Sequence, residues 1–299
     1  MKIGFIGLGQ MGWPMFCNLS RSNIANELVG FDKQLDKRQS DESRYSDTTK
    51  LAKTLDELAQ SDVLITMLPN GKIVQEVLFG TPQLASKLKE NAFVIDMSSS
   101  SPVDTKAVQE KLSQINIALI DAPVSGSVPK ATDGSLSIMY GNDRPELERK
   151  FLPIFAAMGK KFIPTGPTGS AHTMKCLNNY LYAAGLLAAS EALLIAEAHG
   201  LDLERLVDVF NASSGRNVAT ETKIKQHMLN GKNNRGGFNI DLMEKDLAIA
   251  QELKEQIGID AKQLELCYKT WNEAKSLLPH NSDNLEIIAY LKEKQSPLD

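Results

Sequence analysis

The chain has 299 residues, 42% of them hydrophobic and 23% charged, a balance typical of a globular protein long enough for two domains. A formal net charge of −4 and the lack of a basic stripe argue against a nucleic-acid partner. Three widely spaced cysteines, Cys17, Cys176 and Cys267, favour a reducing compartment over a disulfide framework. No uninterrupted apolar run reaches the about 18 residues of a spanning helix, and the start KIGFIGLG has no secretory-leader pattern. A cytoplasmic protein without a membrane partner is therefore predicted.

The first half of the chain alternates short apolar runs with helical patterns. Six runs rich in Val, Ile and Leu are predicted as buried strands: KIGFIGLG, ELVGFD, DVLITMLP, AFVIDMSS, IALIDAPVS and LSIMYGN. Amphipathic stretches at residues 11–22, 51–59 and 103–114 are predicted as helices between them. Such alternation predicts right-handed βαβ units and a mostly parallel sheet covered on both faces.

The second half of the chain carries helical patterns only. They lie at residues 170–199, 202–212, 217–230, 240–257, 261–277 and 283–293. Pro164, Gly166, Pro167 and Gly169 mark the change of character. The pattern predicts an α/β domain over 1–165 and an all-α domain over 166–299, joined by the long helix at 170–199.

A glycine-rich turn follows the first predicted strand. Gly7, Gly9 and Gly12 spell G-x-G-x-x-G, and Gln10 and Met11 lie inside the turn. In this context Gly7 permits the tight turn, Gly9 the approach of a pyrophosphate, and Gly12 close helix–strand packing. The pattern predicts a Rossmann-type dinucleotide site, with the diphosphate at the start of the next helix. A tight turn without a ligand is the alternative.

Asp32 ends the second predicted strand, 20 residues after Gly12. A carboxylate there accepts hydrogen bonds from a ribose 2′-hydroxyl and repels a 2′-phosphate, which favours NAD over NADP. Lys33 and Arg38 nearby weaken that preference without reversing it.

Four blocks of the sequence resemble the β-hydroxyacid dehydrogenase family, which includes 3-hydroxyisobutyrate dehydrogenases and tartronate semialdehyde reductases. They are IGFIGLGQMGWPM (3–15), DAPVSGS (121–127), GPTGSAHTMKCLNN (166–179) and FNIDLMEKDL (238–247). ITMLPN (65–70) and IDMSSSSP (95–102) are similar to strand-end loops of the family. Ser127 and Ala171 stand where the family usually has glycine. PKATDG (129–134) is similar to the tartronate semialdehyde reductase branch.

Hydride transfer to or from an alcohol carbon needs a side chain that moves the hydroxyl proton. The four histidines, His172, His199, His227 and His280, have no evident carboxylate partner, and no cluster has metal-ligand spacing, so no metal is predicted. Lys175 is the better candidate, because partial burial and the charge of oxidised nicotinamide would lower its pKa. Helical spacing places Asn178 and Asn179 beside it. A surface lysine with asparagines facing water is the alternative.

The resemblance implies a doubly wound, mostly parallel sheet followed by an all-α C-terminal domain, assembled as a homodimer or homotetramer. It implies Lys175 and Asn179 as catalytic residues. The residues implied for substrate binding are Ser125, Gly126, Ser127 and Asn178, with the loop at 125–127 holding the substrate carboxylate. The residues implied for NAD binding are Gly7, Gly9, Gln10, Met11, Gly12, Asp32, Leu68, Pro69, Ser98 and Lys245. Composition alone would make the loop at 125–127 an ordinary turn and Lys245 a solvated helix lysine.

These features together predict an NAD-dependent oxidoreductase that interconverts a small 3-hydroxy acid and its semialdehyde. A glyoxylate or succinic semialdehyde reductase of the same family is one alternative, and a non-catalytic dinucleotide-binding scaffold is another. An imine- or ketone-reducing relative is disfavoured, because that branch commonly replaces the lysine that Lys175 matches.

Overall fold

The computed structural model describes residues 1–34, 46–229 and 238–295. The chain divides into two compact units, Met1–Lys175 and Cys176–Asp299. One long helix, Ser170–Ala198, begins in the first unit and continues into the second. The domain boundary placed after residue 165 stays a prediction. Arg38 lies outside the described residues.

Nine strands among the described residues form one sheet. They are β1 (Lys2–Ile6), β2 (Glu27–Phe31), β3 (Thr49–Leu51), β4 (Val63–Thr66), β5 (Phe93–Asp96), β6 (Ala118–Asp121), β7 (Val124–Ser125), β8 (Leu136–Gly141) and β9 (Gly159–Gly166). Six run parallel in the order β3-β2-β1-β4-β5-β6. Strand β8 pairs antiparallel with β6 and β7 and parallel with β9. The chain reverses its direction of progress between β1 and β4, where sheets of this type bind dinucleotides.

Helices cover both faces of the sheet in the first unit. They are α1 (Gly12–Arg21), α2 (Gly71–Phe79), α3 (Pro102–Ser113), α4 (Ser127–Thr132) and α5 (Glu148–Met158). Successive strand residues point to opposite faces, so Val63 and Ile65 pack with α1 and α5 while Leu64 packs with α2 and α3. Two buried cores result, and the strands are apolar throughout because neither face meets water.

The structure confirms the predicted strands and corrects one predicted helix. Residues 51–59 form the end of β3 and a short 3₁₀ turn, Leu55–Leu58, instead of an α-helix. Thr54 and Glu57 cap this turn reciprocally, and Gln60 then takes a positive φ of 59°, which ends it. Strands β3 and β9 were not predicted, because TKL is too short and GKKFIPTG too polar to give an apolar run.

The second unit consists of helices in its described part. Besides its share of α6 (Ser170–Ala198), it holds α7 (Leu203–Ala212), α8 (Val218–Thr222), a π-helical turn (Ile224–Met228), α9 (Ile240–Ile257), α10 (Lys262–Leu277), a 3₁₀ turn (Asn284–Glu286) and α11 (Ile287–Gln295). Leu186, Met243, Leu247 and Trp271 lie in its largest core cluster. A Rossmann-type sheet followed by an all-α unit is therefore the confirmed fold class.

Within the described residues, one helix is long and apolar enough to cross a membrane. An 18-residue window of Ser170–Ala198 has a mean hydropathy of 1.5, and 44% of that window is buried. The prediction that no apolar stretch reaches this length was wrong, because polar residues such as Glu191 interrupt the apolar run of this helix without making the mean hydropathy of the window low. Length and composition alone are weak evidence, since a core helix passes the same test.

Candidate active site

The glycine turn between β1 and α1 has the geometry that its sequence predicts. Gly7 has a φ of +97°, and a Cβ there would lie 2.2 Å from the carbonyl oxygen of Met67. A Cβ on Gly12 would lie 1.8 Å from the carbonyl oxygen of Gly7. Both positions therefore require glycine, because a larger residue would push β4 or α1 away from the turn.

The tip of the same turn is open. A Cβ on Gly9 would meet no atom within 4 Å. Gly9, Gln10 and Met11 precede the first turn of α1, and within the described chain their N–H groups donate to no protein acceptor. Unpaired donors at a helix N-terminus, with room for a ligand above Gly9, are the features that bind a dinucleotide diphosphate. The turn therefore fits the cofactor that its sequence implies.

Asp32 fastens this turn to the end of β2. Its Oδ2 accepts the N–H of Leu8 at 2.7 Å, and its Oδ1 accepts the N–H of Gln34 at 2.7 Å. Each carboxylate oxygen retains a further lone pair. Asp32 can therefore hold the loop and still accept a ribose hydroxyl.

The loops after β4 and β5 are joined by a hydrogen bond. The N–H of Leu68 donates to the Ser98 hydroxyl oxygen at 2.9 Å. Ser98 is fully buried, while Pro69, next to Leu68, is exposed. The hydroxyl of Ser98 thus has a protein partner, and the implied contact of Ser98 with NAD stays a prediction.

A buried polar group, here called the strand-end cluster, lies beyond β4, β5 and β6. Its members are each 2% exposed or less: Thr66, Asp96, Ser98, Ser100, Thr105, Asp121 and His172. The strand register aligns Thr66 with Asp96, and Asp96 with Asp121. Asp96 accepts hydrogen bonds from the Thr66 hydroxyl (2.9 Å) and the Ser100 hydroxyl (2.8 Å). Buried polar groups are stable when they are paired in this way.

Asp121 joins β6 to the start of α6. Its Oδ1 accepts the N–H of Gly169 at 2.7 Å, and its Oδ2 accepts the N–H of His172 at 2.9 Å. The first N–H groups of a helix have no partner within the helix, and a negative charge at that end is favourable. Asp121, the first residue of the DAPVSGS block, is therefore a tertiary cap of the helix that carries Lys175.

The sequence suggested no carboxylate partner for any histidine, but the structure places two carboxylates near His172. His172 Nε2 lies 3.9 Å from Asp96 Oδ2, and Nδ1 lies 3.8 Å from Asp121 Oδ2. The three residues are far apart in sequence, which is why spacing missed them. A weak signal was present, because the strands AFVID and IALID both end in Ile-Asp.

The predicted substrate loop combines a glycine and a serine with positive φ. Ser125 ends β7, Gly126 has a φ of 142°, and Ser127 has a φ of 56°. The Ser127 hydroxyl donates to the carbonyl oxygen of Gly126 at 2.6 Å. A left-handed conformation costs an L-residue about 1–2 kcal/mol, so Ser127 holds strained backbone at the position where the family has glycine.

Lys175 lies in the second turn of α6 and is 9% exposed. One helical turn later, Asn179 is 6% exposed and its Nδ2 donates to Asp246 Oδ2 at 2.5 Å. A carboxylate only accepts, so the amide nitrogen must face it. Asn178 is exposed and its Nδ2 donates to Asn179 Oδ1 at 3.2 Å. The structure thus fixes the Asn179 amide through Asp246, which sequence reasoning had not singled out.

Lys245 lies in α9, next to Asp246. Its Nζ is 3.5 Å from Asp246 Oδ1, and its side chain is 23% exposed. Its predicted contact with the cofactor stays a prediction. Asp246 could have been identified as the Asp of the K-D-L block.

The buried cysteines and the described acidic and histidine side chains show no arrangement suited to thiol or metal catalysis. Burial, with a smaller contribution from Asp246, raises the pKa of the Cys176 thiol to about 12, and burial raises the pKa of Cys267 to about 12. Such thiols hold little thiolate near neutral pH. Among the residues with described positions, no three His, Cys, Asp or Glu side chains could together hold a metal ion.

Parallel strands in this order, a glycine turn and an acidic residue after β2 together define a dinucleotide-binding fold suited to NAD. Residues 2–166 match the NAD-binding domain model of 6-phosphogluconate dehydrogenase. Residues 169–291 match the model described as NAD-binding of NADP-dependent 3-hydroxyisobutyrate dehydrogenase.

Known relatives agree with these models. The chain is 33% identical to 2-hydroxy-3-oxopropionate reductase of Escherichia coli, over 97% of this chain and 98% of that protein. It is 34% identical to 2-(hydroxymethyl)glutarate dehydrogenase of Eubacterium barkeri, over 84% and 82%. The structure resembles Mycobacterium tuberculosis 3-hydroxyisobutyrate dehydrogenase with L-serine, with a TM-score of 0.86, 27% identity, and coverage of 97% of this chain and 99% of that one.

The chain belongs to the β-hydroxyacid dehydrogenase family. It is an NAD(P)-dependent oxidoreductase that acts on the CH–OH group of 3-hydroxy acids. The predicted enzyme class is confirmed. The two family models support NAD as the cofactor and do not contradict NADP.

Proposed function

We propose that this enzyme interconverts a small 3-hydroxy acid and its semialdehyde, of the 3-hydroxyisobutyrate or tartronate semialdehyde type, with Lys175 as general acid/base. The observation that carries the proposal is the position of Lys175. It is largely buried, in the second turn of a helix whose first residues are tied to the sheet by Asp121. A lysine on a fixed helix start can meet a reacting hydroxyl in one geometry, as proton transfer requires.

In this proposal, a residue is assigned to cofactor binding, to proton transfer and to orientation of the reacting oxygen. The turn at Gly7–Gly12 and Asp32 would hold NAD(H), which would accept the hydride on oxidation of the substrate and supply it on reduction. Lys175 takes the hydroxyl proton on oxidation and returns it on reduction. Asn179, whose amide is oriented by Asp246, has a second N–H left to donate to the reacting oxygen. Asn178 is exposed beside it and is assigned to the substrate.

The substrate carboxylate is assigned to the loop Ser125, Gly126 and Ser127. A Cβ on Gly126 would lie 2.6 Å from Cδ of Lys130, so the stem of Lys130 packs against this glycine. That packing holds the Lys130 ammonium group near the loop. Within the described chain this ammonium group has no salt bridge. Oriented donors together with a nearby cation favour a carboxylate-bearing substrate.

The substrate is identified by a turnover screen. Purified enzyme is assayed with NADH and with NADPH against five compounds. They are tartronate semialdehyde, methylmalonate semialdehyde, succinic semialdehyde, a sulfo-semialdehyde and glyoxylate. Turnover of one of the first two supports the proposal. Preference for glyoxylate or succinic semialdehyde supports the alternative reductase. NADH binding without turnover of any compound would reject these substrate assignments. Asp32 predicts that NADH is the better reductant.

The role of Lys175 is tested by Lys175→Ala. We expect NADH affinity to stay within about 2-fold, while kcat falls by about 10³-fold or more, because the proton has no carrier. Lys262→Ala, a change at a side chain that is 85% exposed, is the matched control and should keep wild-type turnover. A kcat near wild type in Lys175→Ala would reject the assignment.

We infer that the chain assembles as a homodimer or homotetramer. Large apolar side chains recur on one face of α6, where Met174, Leu177, Leu181 and Ile195 are 43–70% exposed. A stripe of this length is unfavourable in water and is typical of an interface. If light scattering gives the mass of a single chain, 32.8 kDa, the inference is contradicted.

A cytoplasmic location is also proposed. Cys17, Cys176 and Cys267 are all buried free thiols, which suits a reducing compartment. Cell fractionation that recovers the protein with membranes or outside the cell would contradict it.

A further inference from the structure

His172 is a buried titratable residue to which the proposed function gives no role. It is the third residue of α6, three positions before Lys175, and its side chain is fully buried. A group without exposure cannot contact the substrate, so it is not a proton carrier. Polar side chains in such positions hold their neighbours in place when all their hydrogen bonds are made.

The hydrogen bonds of the ring define its orientation. Nε2 lies 3.0 Å from the carbonyl oxygen of Ser98. A carbonyl only accepts, so Nε2 carries a proton and donates it. Nδ1 lies 2.7 Å from the hydroxyl oxygen of Thr105 on α3. The ring is therefore held at both nitrogens, by two different parts of the first unit.

These partners connect the two sides of the proposed reaction. Ser98 contributes its carbonyl oxygen to His172 and its hydroxyl oxygen to the N–H of Leu68. Leu68 and Ser98 are two of the residues that the family resemblance implies for NAD binding. The backbone of His172 is in turn fixed by Asp121. One side chain thus links the cofactor-side loops to the helix that carries Lys175.

We propose that His172 is a positioning residue, which sets the start of α6 relative to the Leu68–Ser98 loops and so places Lys175 at the correct distance from the hydride-transfer centre. The inference rests on the proposed function of Lys175. Displacements of about 1 Å away from the chemistry can cost about 10²-fold in rate. Binding of NADH depends on the separate glycine turn.

The experiment compares His172→Leu, His172→Gln and Thr105→Val. For His172→Leu we expect a kcat about 10–100-fold lower, with KM within about 3-fold and NADH affinity within about 2-fold. The deuterium isotope effect on kcat with 4-deuterated NADH should rise, because hydride transfer becomes slower. Gln retains an N–H donor for Ser98 and should recover turnover to within about 5-fold of wild type. Thr105→Val leaves that donor in place and should show the same defect in weaker form.

His199→Gln, at an exposed histidine, is the matched control. Hydrogen exchange gives a readout that is independent of turnover: amides 169–175 should exchange faster in His172→Leu. If His172→Leu folds and keeps wild-type kcat and isotope effect, the inference is rejected. If His172→Leu loses NADH affinity in proportion to kcat, or fails to fold while Gln and Thr105→Val behave as wild type, His172 has only a structural role and the inference is also rejected. Wild-type kcat in Lys175→Ala rejects the proposed function instead.

Discussion

The glycine turn and the strand-end cluster both lie at the carboxyl ends of parallel strands of one sheet, yet they are built in opposite ways. At the turn, Gly9 borders open space and the neighbouring N–H groups have no protein acceptor within the described chain. In the cluster, Asp96, Asp121 and His172 are almost completely buried, and each makes several hydrogen bonds.

The difference indicates that one region at this edge of the sheet binds a ligand and the other maintains the geometry of the site. Unpaired donors beside free space keep their binding capacity for a ligand. A buried and paired network keeps one geometry, because any displacement leaves a polar group without a partner. Changes at the open tip of the turn, at Gly9, should therefore affect cofactor binding at constant stability, while changes in the cluster should affect stability and turnover.

The largest effect on stability is expected for Asp121→Asn. Asn offers one acceptor oxygen to two buried N–H groups, at Gly169 and His172, so at least one loses its partner. We expect the free energy of unfolding to fall by about 2–3 kcal/mol, measured by urea unfolding. Asp208→Asn, whose side chain is 68% exposed, should change it by less than about 0.5 kcal/mol. Equal effects of the two substitutions would contradict the framework role of the cluster.

The second prediction concerns the turn and compares Gly9→Ala with Gly12→Ala. A methyl group at Gly9 meets no protein atom within 4 Å, so the Tm should be unchanged, but it occupies the space of the diphosphate and should weaken NADH binding about 10-fold or more. A methyl group at Gly12 lies 1.8 Å from the Gly7 carbonyl oxygen and should lower the Tm. Titration calorimetry and thermal unfolding separate the cases. Unchanged NADH affinity in Gly9→Ala would show that the diphosphate does not bind at this turn.

The smallest effect is expected for Ser127→Gly, in a loop that is neither open nor fully buried. Glycine removes the cost of a φ of 56° and should stabilise the fold by about 0.5–1 kcal/mol. Ser127→Ala keeps the strained backbone and removes the hydroxyl, so it isolates the contribution of that group to substrate KM. If both variants leave KM for every semialdehyde unchanged, Ser127 does not contact the substrate.

Several elements of the fold follow from local sequence. The six apolar runs are strands because a parallel sheet covered on both faces favours Val, Ile and Leu at every position. Residues 240–257 form a helix with those bounds, since Asn239 caps its start and Gly258 ends it in a left-handed conformation. The helix predicted at 51–59 failed because Leu51 pairs with β2, a long-range contact that a local pattern does not contain.

The candidate site divides in the same way. The sequence by itself determined the glycine turn, Asp32, and the presence of Lys175 and Asn179 one helical turn apart, because each depends on residues close together in the chain. Only the tertiary structure decided that Asp96, Asp121 and Thr105 surround His172, and that Asp246 orients Asn179. Strand register and helix packing bring these residues together over separations of up to about 75 positions, and hydrogen bonds at such separations leave no periodic pattern in the sequence.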